Sequence, residues 1–325
     1  MISIIVPLYN TSLEIFEETL ESLRNQTNNN YELIIVDDGS NINYEDLLKK
    51  YSDLNIKYIK TGNYGVSHAR NLGIELSSLE YILFLDSDDT LESNAINVFS
   101  KYNNVDIVIS SNKINTNGII EILNQHDEKV ILDKDKLLKS VLINDYEYRF
   151  VDTPWNKLYR KDFLLENNLL FDEELRYGED GLFNYYAYLN AKKILLIDDF
   201  TYVYRVNEDS LCSSFHHDFA DNTLKLLTKY IDLYENGLLE YDVLCNFVSR
   251  NITRLFRKHY VFYGNEDLKK ELENLLEYKQ LLAYLKNAET NDKNKRELVR
   301  LLSDSDIDGL SVYVEDICKK KLLKK

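Results

Sequence analysis

Apolar residues in the first 110 positions fall into short, mainly apolar runs that alternate with helix-spaced singles. Ile2 to Val6 is one such run, closed by Pro7; Tyr31 to Val36, Ile56 to Ile59, Tyr81 to Leu85 and Val105 to Ile109 repeat it. Runs of this kind, bounded by polar turns, predict strands covered on both faces, as in a parallel sheet. Between them, Leu13, Phe16, Leu20 and Leu23 share one helix face, as do Val66, Ala69, Leu72 and Leu76. Leu47, Leu48, Tyr51 and Leu54 mark a further helix. Thr11 and Glu14 have capping-box spacing for the first helix, and Pro7 is expected to end the first ladder. The β-α alternation predicts an α/β fold: a doubly wound, mainly parallel sheet flanked by helices.

The pattern loosens beyond Leu85. Asp89 and Glu92 have the spacing of a capping box for a helix over about 91–102, ahead of Ala95, Ile96 and Phe99. An antiparallel strand is expected at Ile119 to Leu123, helices at Lys134–Ile143 and Lys161–Glu166, and strands around 194–197 and 200–205. Gly178-Glu179-Asp180 opens a helix that buries Leu182, Phe183, Tyr186 and Leu189. From Asp218 onward the signal is almost wholly helical, which divides the chain into domains 1–215 and 216–325.

Composition narrows the class. The chain has 325 residues, 44% of them hydrophobic, which is enough for a large core. It has no long apolar stretch, and no charged-then-apolar leader precedes the first strand, so neither a membrane span nor a signal peptide is expected. Cys212, Cys245 and Cys318 are too scattered for a disulfide framework or a zinc site, which fits a cytoplasmic protein. The net charge of −16 lies wholly in residues 1–217, with 20 basic against 36 acidic side chains, and argues against nucleic acid as a partner.

Four clusters carry candidate chemistry. Asp86 and Asp88 follow the apolar run at 81–85, at the sheet edge where open α/β folds bind ligands. Two carboxylates on one side of an extended segment suit a hard divalent cation. Asp37-Asp38 ends the second strand at the same edge; a carboxylate there accepts from a base N–H or a ribose hydroxyl, or else simply makes an Asp-Gly turn. In Gly65 to Asn71, a helix N-terminus and Arg70 offer a phosphate site, the alternative being a surface ion pair. Glu179 and Asp180 sit in a helix's first turn, which favours acidic residues whatever the function. The turn after the first strand, Pro7-Leu8-Tyr9-Asn10, has no glycine and cannot wrap a dinucleotide pyrophosphate.

Together, Ile4 to Asn10, Ile35 to Ser40, Gly65 to Asn71, Asp86-Ser87-Asp88-Asp89 and Glu179-Asp180 resemble the ordered motifs of family-2 glycosyltransferases with a GT-A fold, over about residues 1–210. The resemblance implies that Pro7, Tyr9 and Asp38 border the donor's base and ribose, and that Arg70 and Asn71 belong to the donor site. It also implies that Asp86 and Asp88 serve the metal and sugar-diphosphate, with Asp88 the main ligand of Mn²⁺ or Mg²⁺. Asp180 corresponds to the catalytic base of inverting members. Trp155, Asn156 and Lys157 resemble an acceptor-side segment, to which Glu179 is added, although a lone Trp also suits a core. Arg205 is similar in position to basic residues near the diphosphate.

The chemistry implied is inverting, metal-dependent transfer of a sugar from a nucleotide-sugar donor, a UDP-sugar above all. The acceptor would be a hydroxyl of a glycan, lipid-linked or protein-linked, in bacterial surface polysaccharide or glycoprotein synthesis. Two rivals share part of the pattern: a non-catalytic sugar-nucleotide or glycan binder, which has no use for Asp180, and a metal-dependent sugar nucleotidyltransferase, whose Gly-rich loop after the first strand is missing. In the C-terminal domain, Leu244, Val248, Ile252 and Leu255 project on one helix side and Arg250, Arg254, Arg257 and Lys258 on the other. With the basic tail Lys319 to Lys325, this side either pairs with acidic residues, touches the inner face of a membrane, or joins copies of the chain.

Overall fold

The computed structural model describes residues 1–206 apart from 126, 128, 132–133, 144–147 and 149, then 219–263, and lastly 297, 300, 301, 304 and 306–322. Cys212 and the last three residues of the basic tail lie outside these. Two compact units are present, Met1–Glu208 and Asp209–Lys325.

The first unit starts as the alternation requires: β1 (Ile2–Leu8), α1 (Leu13–Arg24), β2 (Tyr31–Asp37), α2 (Glu45–Lys50), β3 (Ile56–Lys60), α3 (Val66–Leu76) and β4 (Tyr81–Phe84). It continues through β5 (Thr90–Leu91), α4 (Ala95–Phe99), β6 (Ile107–Thr116), β7 (Ile119–Asn124), β8 (Lys129–Ile131) and α5 (Lys134–Ile143). It ends with β9 (Lys157–Arg160), α6 (Lys161–Glu166), α7 (Glu179–Asn190) and β10 (Ile194–Arg205). All seven β1 residues are buried, and β1 runs parallel to β2 on one side and β4 on the other.

The sheet is mixed. Its order is β3-β2-β1-β4-β9-β6-β10-β5, with β7 on β6 and β8 on β10. The four strands from β3 to β4 are parallel, but β9 inserts antiparallel between β4 and β6. Strand β6 then pairs in parallel with β10. On one face, Phe16, Leu20 and Leu23 of α1 join Tyr44, Leu47 and Tyr51 and the apolar residues of α4 in a core over β1, β2 and β4. On the other face, Ala69, Leu72 and Leu76 of α3 cover Ile34 and Val36. Helix α3 lies so close to β1 that a Cβ on Gly73 would stand 2.3 Å from Ile5 Cγ2, so glycine is required there.

Several local expectations are corrected. Pro7 does not end the first ladder, which runs on with Pro7 opposite Val36 and Leu8 opposite Asp37. The cap of α1 is Ser12, whose Oγ accepts from Ile15 N, while the Thr11 hydroxyl bonds Ser87 Oγ at 2.6 Å. Asp89 caps no helix: Thr90–Leu91 pair with β10, and α4 starts only after Asn94. The two strands expected near 194 and 200 form one irregular strand, β10.

In the second unit, α8 (Phe219–Glu235), α9 (Tyr241–Tyr263) and α10 (Ile307–Leu322) are amphipathic helices. Leu244, Val248, Ile252 and Leu255 of α9 are buried while Arg254 is exposed, with its guanidinium 5.8 Å from the Phe219 ring centre. No described helix is long and apolar enough to cross a membrane.

Candidate active site

The carboxyl ends of β1, β2 and β4 meet at one sheet edge because the three strands are parallel and in register. The segments after them are stitched together there: Asn10 N donates to Ser40 Oγ at 2.9 Å, and Thr11 Oγ1 bonds Ser87 Oγ. Pro7 is buried at this edge and Tyr9 is exposed, its hydroxyl accepting from Asn63 Nδ2 at 3.1 Å.

Asp37 and Asp38 divide by role. Asp37 accepts from Ser40 N at 2.8 Å and from the Tyr58 hydroxyl at 2.6 Å, with Lys60 Nζ 3.6 Å away. Burial alone would raise its pKa, but these partners hold it below the usual carboxylate range. Asp38 accepts from Tyr64 N at 2.8 Å and Gly65 N at 2.7 Å, and so fixes the loop leading into α3. Gly65 reaches this geometry with φ 101°, where a side chain is strained.

Helix α3 then points Arg70 inward rather than toward an open phosphate site. At 4% exposure, its guanidinium meets three carboxylates: Nη1 donates to Asp180 Oδ1 at 2.5 Å, Nη2 to Asp86 Oδ1 at 3.1 Å, and Nη1 lies 3.5 Å from Glu179 Oε1. One buried cation thus joins the end of β4 to the start of α7. Gly178 (φ 85°) is the N-cap of α7 and turns the chain so that Glu179 and Asp180 both face Arg70. Burial pushes the pKa of Glu179 well up, and the Asp180 charge adds to this. Burial likewise raises the pKa of Asp180, against the pull of Arg70. Behind Asp180, the Tyr159 hydroxyl donates to Asn184 Oδ1 at 2.6 Å, and Asn184 Nδ2 donates to the Asp180 carbonyl at 3.0 Å.

Asp86 to Asp89 form a turn closed by Asp89 N donating to Asp86 O at 3.1 Å. Asp89 is buried and accepts from the Tyr202 hydroxyl at 2.6 Å and from Arg205 N at 2.7 Å. Burial, with the charges of Asp88 and Asp86, pushes its pKa well up. Asp86 is 28% exposed and Asp88 half-buried, so both remain reachable. Arg205 Nε donates to the Asp88 carbonyl at 2.9 Å while its guanidinium end pairs with Glu18.

A divalent cation fits this donor set. Among the described residues no three His, Cys, Asp or Glu side chains cluster as a closed metal site. Two hard carboxylates on one turn match instead the open kind of Mg²⁺ or Mn²⁺ site, completed by water and by phosphate oxygens of a ligand.

Other expected site residues sit elsewhere. Asn71 ties α3 to the loop before α7, its amide bonding Phe171 N and O at 2.8 and 2.9 Å. Trp155 (5% exposed), Asn156 and Lys157 are interior. The indole stacks on Tyr202 at 4.8 Å, and Asn156 bonds Ser110 O through Nδ2 at 2.9 Å. Lys157 Nζ donates to the carbonyls of Phe150 at 2.8 Å and Thr153 at 2.6 Å, and to Asn156 Oδ1 at 2.8 Å. Burial lowers its pKa to about 7. The segment supports the site from behind. Tyr58, Thr19, Asn184 and Tyr202, which hold the site carboxylates or their backbone, carry no motif: Tyr202 is 116 residues from Asp86.

The sequence profile described as Glycosyl transferase family 2 matches residues 3–164. The uncharacterized glycosyltransferase EpsJ of Bacillus subtilis is 34% identical over 217 residues, 65% of this chain and 62% of EpsJ. EpsH of the same organism, also named as a glycosyltransferase, is 31% identical over 248 residues, 74% of this chain and 71% of EpsH. The poly(ribitol-phosphate) beta-N-acetylglucosaminyltransferase TarP of Staphylococcus aureus is 32% identical over 215 residues, 64% of this chain and 63% of TarP. For EpsJ and TarP the match thus spans less than two thirds of the relative's length. The crystal structure of S. aureus TarS 1–349 with UDP-GlcNAc superposes with a TM-score of 0.68 at 23% identity, covering 98% of this chain and 92% of that one. At that identity the likeness is one of fold.

Proposed function

The chain belongs to glycosyltransferase family 2 and has its GT-A fold with a helical C-terminal part, and from this premise we propose that it is an inverting transferase acting on a UDP-sugar. The acceptor would be a hydroxyl of a cell-surface glycan, free, lipid-linked or protein-linked. The observation that carries the reading is the Arg70 cluster: one guanidinium holds Asp86, at the donor edge, and Asp180, at the start of α7, in a single site. A donor site on one carboxylate and a base on the other is what sugar transfer requires. A pure binder has no need of the second.

In this reading Asp38 and the loop it fixes border the uridine, and Asp88 and Asp86 hold Mn²⁺ or Mg²⁺. When bound, the cation neutralises the charge that develops on the leaving diphosphate. Asp180 accepts the proton of the acceptor hydroxyl as that oxygen forms its bond to the anomeric carbon. The carbon–diphosphate bond breaks on the opposite face, the anomeric centre inverts, and the nucleoside diphosphate leaves with the bonding electrons. A pKa raised by burial makes Asp180 a stronger base than an exposed carboxylate, while Arg70 keeps it available as the anion. The UDP preference is supported by TarS, solved with UDP-GlcNAc, and by TarP, named for N-acetylglucosamine transfer. A beta linkage in the names of TarP and a poly(ribitol-phosphate) beta-glucosyltransferase supports inversion. The site would act in the cytoplasm, and the basic side of α9 is offered for contact with the inner membrane face or a second copy.

Melting curves with UDP, GDP, dTDP and CDP, each with Mn²⁺, test the donor class. UDP should raise the melting temperature most, since a ligand that binds only the folded state stabilises it. A larger shift with GDP, or none with any nucleotide, contradicts the proposal.

A further inference from the structure

The Asp86–Asp89 turn has a support that no motif announces. Tyr202, wholly buried on β10, places its phenol oxygen against both ends of the turn: it accepts from Asp86 N at 3.3 Å and donates to Asp89 Oδ2 at 2.6 Å. Its ring cannot swing away, because it stacks on Trp155 with centroids 4.8 Å apart and planes 14° apart. Trp155 is held in turn by Tyr204, nearly parallel at 5.6 Å. The next turn of backbone on β10 adds Arg205 N, which donates to Asp89 Oδ1 at 2.7 Å. From the opposite side, Thr19 Oγ1 reaches the carbonyls of Ser87 and Asp89 at 3.0 and 2.8 Å.

We infer that Tyr202 is a positioning residue for the donor: by tying Asp86 N to the inward-held Asp89 carboxylate, it fixes the turn that presents Asp86 and Asp88 to the diphosphate and its cation. The inference rests on the proposed donor site. It also gives the segment around Trp155 a task other than direct contact with an acceptor, since the indole holds the ring that holds the turn. Burial pushes the Tyr202 hydroxyl pKa well above its ordinary value.

Phenylalanine at this position keeps the ring and its stacking but removes both hydrogen bonds, leaving a buried Asp89 oxygen without its donor. In Tyr202→Phe, the Kd for UDP with Mn²⁺, read by titration calorimetry on the full chain, should rise by about tenfold. The unliganded melting temperature should fall by only about 2–4 °C. Steady-state turnover should show the donor KM rising more than kcat falls. Asp89→Asn is the second variant: its single amide oxygen serves only one of the two donors, and the same weakening is expected. A lower melting temperature with unchanged UDP affinity in both variants would show a merely structural residue and overturn the inference. If the wild type binds UDP normally and the variants match it, the inference alone fails; if the wild type does not bind UDP, the donor reading fails with it.

Discussion

Arg70 is the residue on which the candidate site turns, and its replacement by methionine has a calculable consequence. The guanidinium is 4% exposed and serves three carboxylates, of which Glu179 is buried while Asp86 and Asp180 are 28% and 29% exposed. Removing one partner of a fully buried pair costs about 3–5 kcal/mol. Two of the three carboxylates here reach water and are partly solvated once the guanidinium is gone, so the expected loss is about 2–3 kcal/mol at neutral pH. Urea denaturation of wild type and Arg70→Met measures it, with an unchanged m-value as the check that the same transition is compared. The loss should shrink as pH falls. Without the guanidinium the carboxyl groups lie above their unfolded pKa values, so their cost is present at high pH and vanishes once they are protonated. Arg70→Lys keeps one charge but cannot span Asp86 and Asp180, and should fall between the two. A loss below about 0.5 kcal/mol, the range of ordinary surface changes, or one that does not vary with pH, would refute the electrostatic role assigned to Arg70.

Two further outcomes follow from the same geometry. Burial raises the pKa of Asp180 above the ordinary 3.8, and a base works only as the anion, so the acid limb of kcat should lie above that value, with activity lost as pH falls through it; a limb at or below the ordinary carboxylate pKa contradicts this. Asp38→Ala removes the acceptor for Tyr64 N and Gly65 N and should cost about 1–3 kcal/mol in urea unfolding while weakening UDP binding; unchanged binding would detach Asp38 from the nucleotide.

The parallel half of the sheet was legible because β1, β2 and β4 are almost wholly buried and are written as nearly continuous apolar runs, interrupted only by Ser3 and Glu32 ahead of their carboxyl ends. Strand β9 was not, since Lys-Leu-Tyr-Arg at 157–160 has no such run and owes its place to pairing with β4 and β6, far away in sequence. Its Lys157 would be an improbable interior residue by type; a ring of main-chain and amide oxygens makes it one. The capping boxes misled by competition. Ser12 stands beside Thr11 and takes the cap, and Asp89 finds Tyr202 and Arg205 N before any helix starts. The carboxylates after β2 and β4 were visible as changes from apolar to acidic, and Glu179 and Asp180 as acidic residues in a helix's first turn. Their partners were not, because which group a buried Arg70 or Tyr202 touches is decided by the sheet's closure rather than by neighbours along the chain.

The most direct test of the central claim is UDP release from UDP-sugars, with Mn²⁺ and a glycan acceptor, by the wild type and by Asp180→Asn. Asparagine keeps the shape and a partner for Arg70 but cannot take a proton, so turnover should fall by about 10²–10⁴ while UDP binding by the full chain stays within a few-fold. Undiminished turnover in Asp180→Asn, with the wild type active, would contradict the account.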